Sequence, residues 1–205
     1  MMRDFLLKMY AFMKRMPAEQ GLHAAVAVAL AMLGPDDRLA ANAALIEGGI
    51  TPESLSSSLL DETPDPAVAL GAAIALQTQL EGCVVVSPVT EGRAREADFA
   101  DILQLAVNMR LPVVFLMECG ADFPDDLEAQ AALGEIERIQ ADGQDAMRLM
   151  PALRLAIDKA REGDGPTLIE CVCDPDQSAQ EANTPAARLA DVLITEGYAR
   201  PEELV

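Results

Sequence analysis

Residues 142–170 read DGQDAMRLMPALRLAIDKAREGDGPTLIE. The segment opens with a turn, and apolar residues at helical spacing then predict a long amphipathic helix over 145–162. Gly163 and Gly165 predict the end of this helix rather than a phosphate-binding loop, because they follow a helix and precede a strand. The apolar run over 166–172 predicts that strand. A helix followed closely by a buried strand is typical of an α/β protein.

The same alternation continues over most of the chain. Helices are predicted over 3–16, 21–33, 67–80, 97–109, 145–162 and 185–196, and strands over 83–87, 112–118 and 166–172. Continuous Val, Leu and Ile runs are typical of parallel strands buried on both faces. We therefore predict an α/β fold whose parallel sheet is covered by helices on both faces. A single domain is expected over 1–205, with an N-terminal helical part at 1–60 and an α/β core at 67–205.

Three local features refine this prediction. Pro151 lies inside the predicted helix 145–162, so we expect that helix to start late or to kink there. The sequence also indicates a short helix at 42–46 and a helix start at 51–54. The helix at 21–33 is apolar on all sides, which predicts burial all round and favours a contact with another subunit.

Charge and composition exclude several classes of partner. The 205 residues include 34 acidic and 15 basic side chains, which gives a net charge of −19. Such a charge repels phosphate backbones and anionic headgroups, so we expect no nucleic-acid or membrane partner. No apolar run reaches the roughly 18 residues of a membrane span. The N-terminus does not resemble a secretory signal peptide, and the four cysteines do not have the spacing of a disulfide framework. We therefore expect the chain to be cytoplasmic.

Several sequence blocks, in this order, resemble the α subunit of thiamine-diphosphate-dependent 2-oxo acid and acetoin-type dehydrogenases. The blocks are 21–28 with 33–37, 84–86 with 97–106, 111–118, 142–170 and 188–204. The resemblance implies a thiamine-diphosphate-binding fold. It also implies assembly with a β subunit, which in that family supplies the carboxylate that activates the cofactor.

The positions that hold the cofactor in that family carry different residues here. The family binds Mg²⁺ and the diphosphate through Gly-Asp-Gly after one strand and through Asn residues around the next. Here the first signature aligns with Glu91 and Gly92, its following Asn with Arg95, and the Asn pair with Cys119 and Gly120. The resemblance thus implies degenerate cofactor-binding positions at these residues. Glu91 is the candidate metal ligand, because a thiol is a poor ligand for a hard cation.

Other family features are also reduced. The Arg- and His-bearing loop that grips the diphosphate aligns with 41–44, which read ANAA. The segment 60–66 is shorter than in the family, and 174–180 lacks the family's His-bearing loop. We therefore expect a shortened subunit without a thiamine diphosphate site of its own, acting as a structural or interaction subunit in a homodimer or larger oligomer.

Two alternative functions remain open. The first is an active dehydrogenase α-type subunit that uses Glu91, thiamine diphosphate and Mg²⁺, and that needs a β partner and a lipoyl-bearing acyltransferase. The second is a redox or small-ligand module, with a three-thiolate metal site as one form, built on Cys119, Cys171 and Cys173, which lie near predicted strand ends. Buried structural thiols are the simpler interpretation of these cysteines.

The remaining polar candidates have plain structural interpretations. His23, the only histidine, is expected to be a packed or interfacial side chain. Glu91, Glu96 and Asp98 could form a residual cation site, but a solvated loop and helix start is the favoured interpretation. The acidic residues at 122–126 are interpreted as a charged loop.

Overall fold

The computed structural model describes residues 2–15, 22–40, 65–79, 82–120, 135–173 and 184–204. The helices are α1 (Met2–Arg15), α2 (His23–Met32), α3 (Pro66–Gln79), α4 (Glu91–Ala94), α5 (Phe99–Asn108), α6 (Ala146–Arg161) and α7 (Pro185–Thr195), with a 3₁₀ turn at Pro201–Glu203. The strands are β1 (Arg38–Leu39), β2 (Val85–Val89), β3 (Val113–Cys119), β4 (Glu137–Asp142) and β5 (Thr167–Val172). Every helix and strand of the predicted alternation has a counterpart. The shorter elements predicted at 42–46 and 51–54 lie outside the described residues.

The five strands form one parallel sheet in the order β1-β2-β3-β5-β4. Strands β2, β3 and β5 are almost wholly buried, as their Val, Leu and Ile runs predict. The sheet pairs Val86 with Val114 and Leu116 with Ile169. The predicted parallel α/β sheet is therefore confirmed.

Alternate side chains of the strands enter two separate cores. On one face Val86, Leu116 and Ile169 pack with residues of α1, α2, α6 and α7. On the other face Val85 and Phe115 pack with residues of α3 and α5. The rings of Phe99 and Phe115 meet edge to face there, 6.2 Å apart. Helices thus cover both faces, as predicted.

Helix α2 lies in the interior of the first core. Its residues from Ala24 to Ala31 are all buried, and α1 and α6 pack against the helix. A helix that is apolar all round needs cover on all sides, and here the chain's own helices provide it. The interpretation of this helix as a subunit contact is therefore wrong.

Two edge strands were not predicted from the sequence. Strand β4 reads ERIQAD and is partly exposed along its length, because only one of its edges is paired. Charged residues are common on such strands, and they remove the apolar run that marks a buried strand. Strand β1, at the other edge, has only two residues, too few for any periodic pattern.

Helix α6 begins and ends with defined caps. The carboxylate of Asp145 accepts hydrogen bonds from the backbone N–H groups of Met147 and Arg148. Gly163, with φ of +80°, ends the helix, and Asp164 N–H donates to the carbonyl of Lys159. The predicted helix stop is thus confirmed. The late start is wrong, because the helix begins at Ala146 and includes an exposed Pro151.

A buried carboxylate connects the first helices to the sheet. Asp37, at 3% exposure, accepts hydrogen bonds from the backbone N–H groups of Gly34 (2.7 Å) and Val84 (2.9 Å). Nη2 of Arg161, at the end of α6, lies 2.5 Å from Oδ2 of the same carboxylate.

Among the described helices, none combines the length and the apolar composition that a membrane span requires.

Candidate functional site

The carboxyl ends of β2 and β3 bring two of the predicted cofactor positions together. Glu91 opens α4 directly after β2, and Gly120 follows the last residue of β3. Oε2 of Glu91 accepts a hydrogen bond of 3.1 Å from the backbone N–H of Gly120. Open α/β sheets bind their ligands at this edge, so the location fits a site.

The other carboxylate oxygen of Glu91 is held by a guanidinium. Nε and Nη2 of Arg95 lie 3.1 Å and 2.8 Å from Oε1 of Glu91. The hydrogen bonds from Arg95 and, to a smaller degree, from the Gly120 amide lower the pKa of Glu91, although partial burial opposes them. Both oxygens therefore have donors, and the side chain is ionised at neutral pH.

The other two predicted positions contribute less. Gly92 lies in α4, and a Cβ added there would meet nothing within 4 Å. Cys119 is fully buried in the core beneath α3 and α5. Burial, followed by the charges of nearby carboxylates, raises the pKa of the Cys119 thiol to about 12. It is therefore a neutral core side chain at physiological pH.

The cysteines near the strand ends do not share one face of the sheet. Cys171 packs in the core of α1, α2, α6 and α7, whereas Cys119 packs in the opposite core. Burial raises the pKa of Cys173 to about 12, and it also raises the pKa of Cys171 well above the ordinary value of a thiol. Within the described ranges, no group of three or more His, Cys, Asp or Glu side chains is arranged to hold a metal ion.

One arginine contacts the two acidic residues that follow α4 and a third that precedes α3. Nη1 of Arg93 lies 2.7 Å from Asp98 and 3.2 Å from Glu96, and Nη2 lies 3.3 Å from Asp65. The hydrogen bonds to Asp98 raise the pKa of Arg93 and lower that of Asp98. Arg93 thus contacts Glu96 and Asp98, two of the three carboxylates that were predicted as a possible cation site.

A half-buried carboxyl group at the same edge was not selected from the sequence. Glu118 is the penultimate residue of β3. Burial raises its pKa, and the negative charge of Glu91 raises it further. A carboxylate that ends an apolar strand is the sequence signal that could have identified it.

A cleft between α6 and α7 was also not predicted. It has a volume of about 330 Å³. Its walls are formed by the first turn of α6 and one side of α7, with the lining residues Asp145, Ala146, Met147, Arg188, Leu189, Asp191 and Val192. Nη1 of Arg188 lies 3.7 Å from Oδ2 of Asp142, at the end of β4. The charged residues that line the cleft are of both signs.

Several predicted features lie outside the described residues. These are the side chain of His23, the segment aligned with the diphosphate-gripping loop at 41–44, most of the shortened segment 60–66, the acidic residues at 122–126 and the segment 174–180.

The match to a protein family lies in the second half of the chain. The sequence model of the dehydrogenase E1 component matches residues 123–174, which include β4, α6 and β5. Pyruvate dehydrogenase E1 component subunit alpha of Acholeplasma laidlawii is 27% identical over 164 residues, covering 66% of this chain and 48% of that protein. The chain resembles the E1 α subunits. The alpha subunit of acetoin:2,6-dichlorophenolindophenol oxidoreductase of Bacillus subtilis is 30% identical over 115 residues, covering 51% of this chain and 34% of its own length.

A solved structure shares the fold of this E1 α-like chain. It is that of a protein assigned as a thiamin diphosphate-dependent enzyme isolated from Mycobacterium smegmatis, with a TM-score of 0.53 and 16% identity. The match covers 72% of this chain and 30% of that one. The fold is thus thiamine-diphosphate-binding-like. The chain spans less than half the length of the curated relatives it matches.

Proposed function

We propose that this E1 α-like chain has no thiamine diphosphate and Mg²⁺ site of its own and acts as a structural or interaction subunit. The observation that carries the proposal is the contact of Glu91 with Arg95 and Gly120. Among the positions that the family resemblance aligns with the cofactor site, only Glu91 offers a carboxylate to a metal ion.

The charge beside Glu91 opposes a metal ion at this position. A Mg²⁺ ligand must present oxygen lone pairs to a small cation that keeps strict octahedral geometry. The Arg95 guanidinium already occupies Oε1 of Glu91, and its positive charge would repel a second cation. Cys119 adds only a neutral, buried thiol. These side chains do not fit the cofactor that the family uses.

A second candidate is an active E1 α-type subunit completed by a β partner. It is favoured by the meeting of Glu91 and Gly120 at the carboxyl ends of adjacent strands, where such a site belongs. It requires Arg95 to move away from Glu91 on assembly. The redox module is less well supported, because burial keeps the strand-end thiols protonated and a thiolate is the reactive form.

The assembly, location and extent of the protein belong to the same proposal. We infer a homodimer or larger oligomer, with a β-type E1 subunit as an additional partner, in the cytoplasm. The organisation of 1–205 as a single domain is part of this inference.

Calorimetric titration with thiamine diphosphate and Mg²⁺ tests the proposal. We expect no saturable heat from the folded protein at millimolar cofactor. Saturable, Mg²⁺-dependent heat that disappears in Glu91→Ala would overturn the proposal and support the active subunit. The titration is then repeated with a co-expressed β-type subunit, and binding only in that complex would identify a shared site.

A further inference from the structure

Three helices on one side of the sheet hold most of the positive charge of the chain. Helices α1, α6 and α7 pack over the same core, and α7 contacts both of the others. They contain nine of the 15 basic residues of the chain but only three of its 34 acidic residues. The rest of the chain therefore has 31 acidic and six basic residues. The charge is thus divided unevenly between this layer and the remainder of the protein.

Several of these cations are exposed, and we call them the basic face. Its members are Arg3, Lys8, Lys14, Arg148 and Arg154, beside the exposed acidic residues Asp4, Asp158 and Asp191 of the same helices. Arg3 and Arg148 contact carboxylates of the chain. Lys8, Lys14 and Arg154 form no salt bridge with the residues that the structure describes. In a chain with an excess of carboxylates, these side chains remain available to a negatively charged partner.

The layer on the other side of the sheet has the opposite charge balance. Glu96, Asp98 and Asp101 are exposed there, where the chain passes from α4 into α5, and we call them the acidic face. Arg93 contacts Glu96 and Asp98, but its side chain is 16% exposed whereas theirs are 61% and 59% exposed. Arg95 is paired with Glu91. The carboxylates therefore lie at the solvent side of this region.

Both faces also contain exposed apolar side chains. On the basic face Leu155 is 58% exposed and follows Arg154 directly. On the acidic face Leu105 is 43% exposed and lies one turn after Asp101, on the same side of α5. Each face thus offers apolar surface next to its charges, as the contact surfaces of protein complexes do.

We propose that the basic face of one copy of this chain binds the acidic face of a second copy. The two faces lie over the two different cores, on opposite sides of the sheet. A contact between them is therefore head-to-tail, and its repetition gives a ring or an open series of copies. A two-fold contact made by either face alone would place like charges against each other, which is unfavourable.

The structure favours a second copy over other anionic partners. The net charge of −19 repels nucleic acid and anionic membranes, and a surface of phosphates offers no apolar contact for Leu155. A second copy has the same net charge, but charges separated by more than about 8 Å are largely screened at physiological ionic strength. The local contact then decides, and the acidic face supplies both carboxylates and the apolar side chain of Leu105.

This inference rests on the proposed function, since it names the surfaces through which an interaction subunit would associate with itself. The two can fail separately. A chain that binds no cofactor but stays monomeric would overturn the contact alone. An associating chain that binds cofactor would overturn the proposed function alone.

Sedimentation velocity of the intact chain over a wide concentration range tests the contact. The basic-face variant combines Arg148→Gln with Arg154→Gln, and the acidic-face variant combines Glu96→Gln with Asp101→Asn. One variant makes the chain more negative and the other makes it less negative. A general effect of net charge would therefore move their association in opposite directions, so each variant is the control of the other.

We expect the average mass of the wild type to rise with concentration beyond that of a dimer. Each variant alone should show an increase of about tenfold in the dissociation constant. An equal mixture of the two should form a complex of two chains, because the first retains its acidic face and the second retains its basic face. Circular dichroism melting shows that each protein is folded, and the single variants Arg154→Gln and Asp101→Asn replace a double variant that melts early.

Three results would overturn the proposal. The first is a wild type that stays monomeric at every concentration, as it would if the basic face served another anionic partner. The second is a pair of variants that associate as tightly as the wild type or that change in opposite directions. The third is a mixture of the two variants that associates no better than either variant alone.

Discussion

The guanidinium of Arg95 lies 2.8 Å from Oε1 of Glu91, and the backbone N–H of Gly120 lies 3.1 Å from Oε2. The contact joins the start of α4 to the end of β3. It supplies positive charge to the one carboxylate that the family resemblance assigns to a metal. We propose that this internal ion pair stands in place of a bound cation.

Replacing Arg95 by Ala should raise the pKa of Glu91 toward its ordinary value and lower stability by about 0.5 kcal/mol at neutral pH. The pair lowers the folded-state pKa of Glu91. Its stabilisation is therefore present above the unfolded-state pKa and is lost as the pH falls through the folded-state pKa. Carboxyl NMR titration and denaturant unfolding measure both effects. Arg154→Ala, which removes an exposed arginine of α6, is the control and should leave the pKa of Glu91 unchanged.

Gly143→Ala should destabilise the protein by about 1–3 kcal/mol through overpacking. A Cβ at this position would lie 2.6 Å from Sγ of Cys173 and 3.0 Å from the backbone carbon of Cys171. Gly92→Ala is the control, because nothing lies within 4 Å of an added Cβ there. Denaturant unfolding measures the stability of both variants. Equal stabilities would contradict the close approach of Gly143 to Cys171 and Cys173.

Asp37→Ala should lower the free energy of unfolding by about 3 kcal/mol. The substitution removes a buried carboxylate and leaves the N–H of Val84 and the guanidinium of Arg161 without this acceptor. Asp36→Ala, at an exposed neighbouring position, should change stability little. If urea unfolding gave the same midpoint for both variants, the contacts of Asp37 with Val84 and Arg161 would not stabilise the fold.

The four cysteines should react slowly with a thiol reagent in the native protein and rapidly after unfolding. All four are buried thiols, and burial is the main reason that their pKa values are raised. Reaction with a chromogenic disulfide at mildly alkaline pH, with and without guanidinium, gives the two rates. A thiol that reacts rapidly in the native state would revive the redox module.

The fold could be predicted where burial leaves a pattern in the sequence. Strand β5 follows a helix stop and is apolar throughout, so its position was evident. Strand β4 pairs along one edge only and mixes charged with apolar residues, so its sequence resembles a loop. The cover of α2 by α1 and α6 depends on packing between distant segments, which no local pattern records.

The site could be predicted in part. The resemblance identified Glu91 and Gly120, and the structure brings them together. The contact of Glu91 with Arg95 was missed, although residues four apart face each other on a helix. Recognising it required knowing that the chain turns into α4 directly after β2. The raised pKa of Glu118 depends on tertiary burial and on the charge of Glu91, neither of which is visible in its own segment.

Paramagnetic resonance of Mn²⁺, used as a spectroscopic substitute for Mg²⁺, shows whether Glu91 binds a cation while it is paired with Arg95. The folded protein is titrated with Mn²⁺ in the presence of millimolar thiamine diphosphate, beside the variants Glu91→Gln and Glu96→Gln. We expect no spectral difference between the wild type and Glu91→Gln, because Arg95 already pairs with the Glu91 carboxylate. A saturable bound-Mn²⁺ signal in the wild type and in Glu96→Gln, lost in Glu91→Gln, would contradict it.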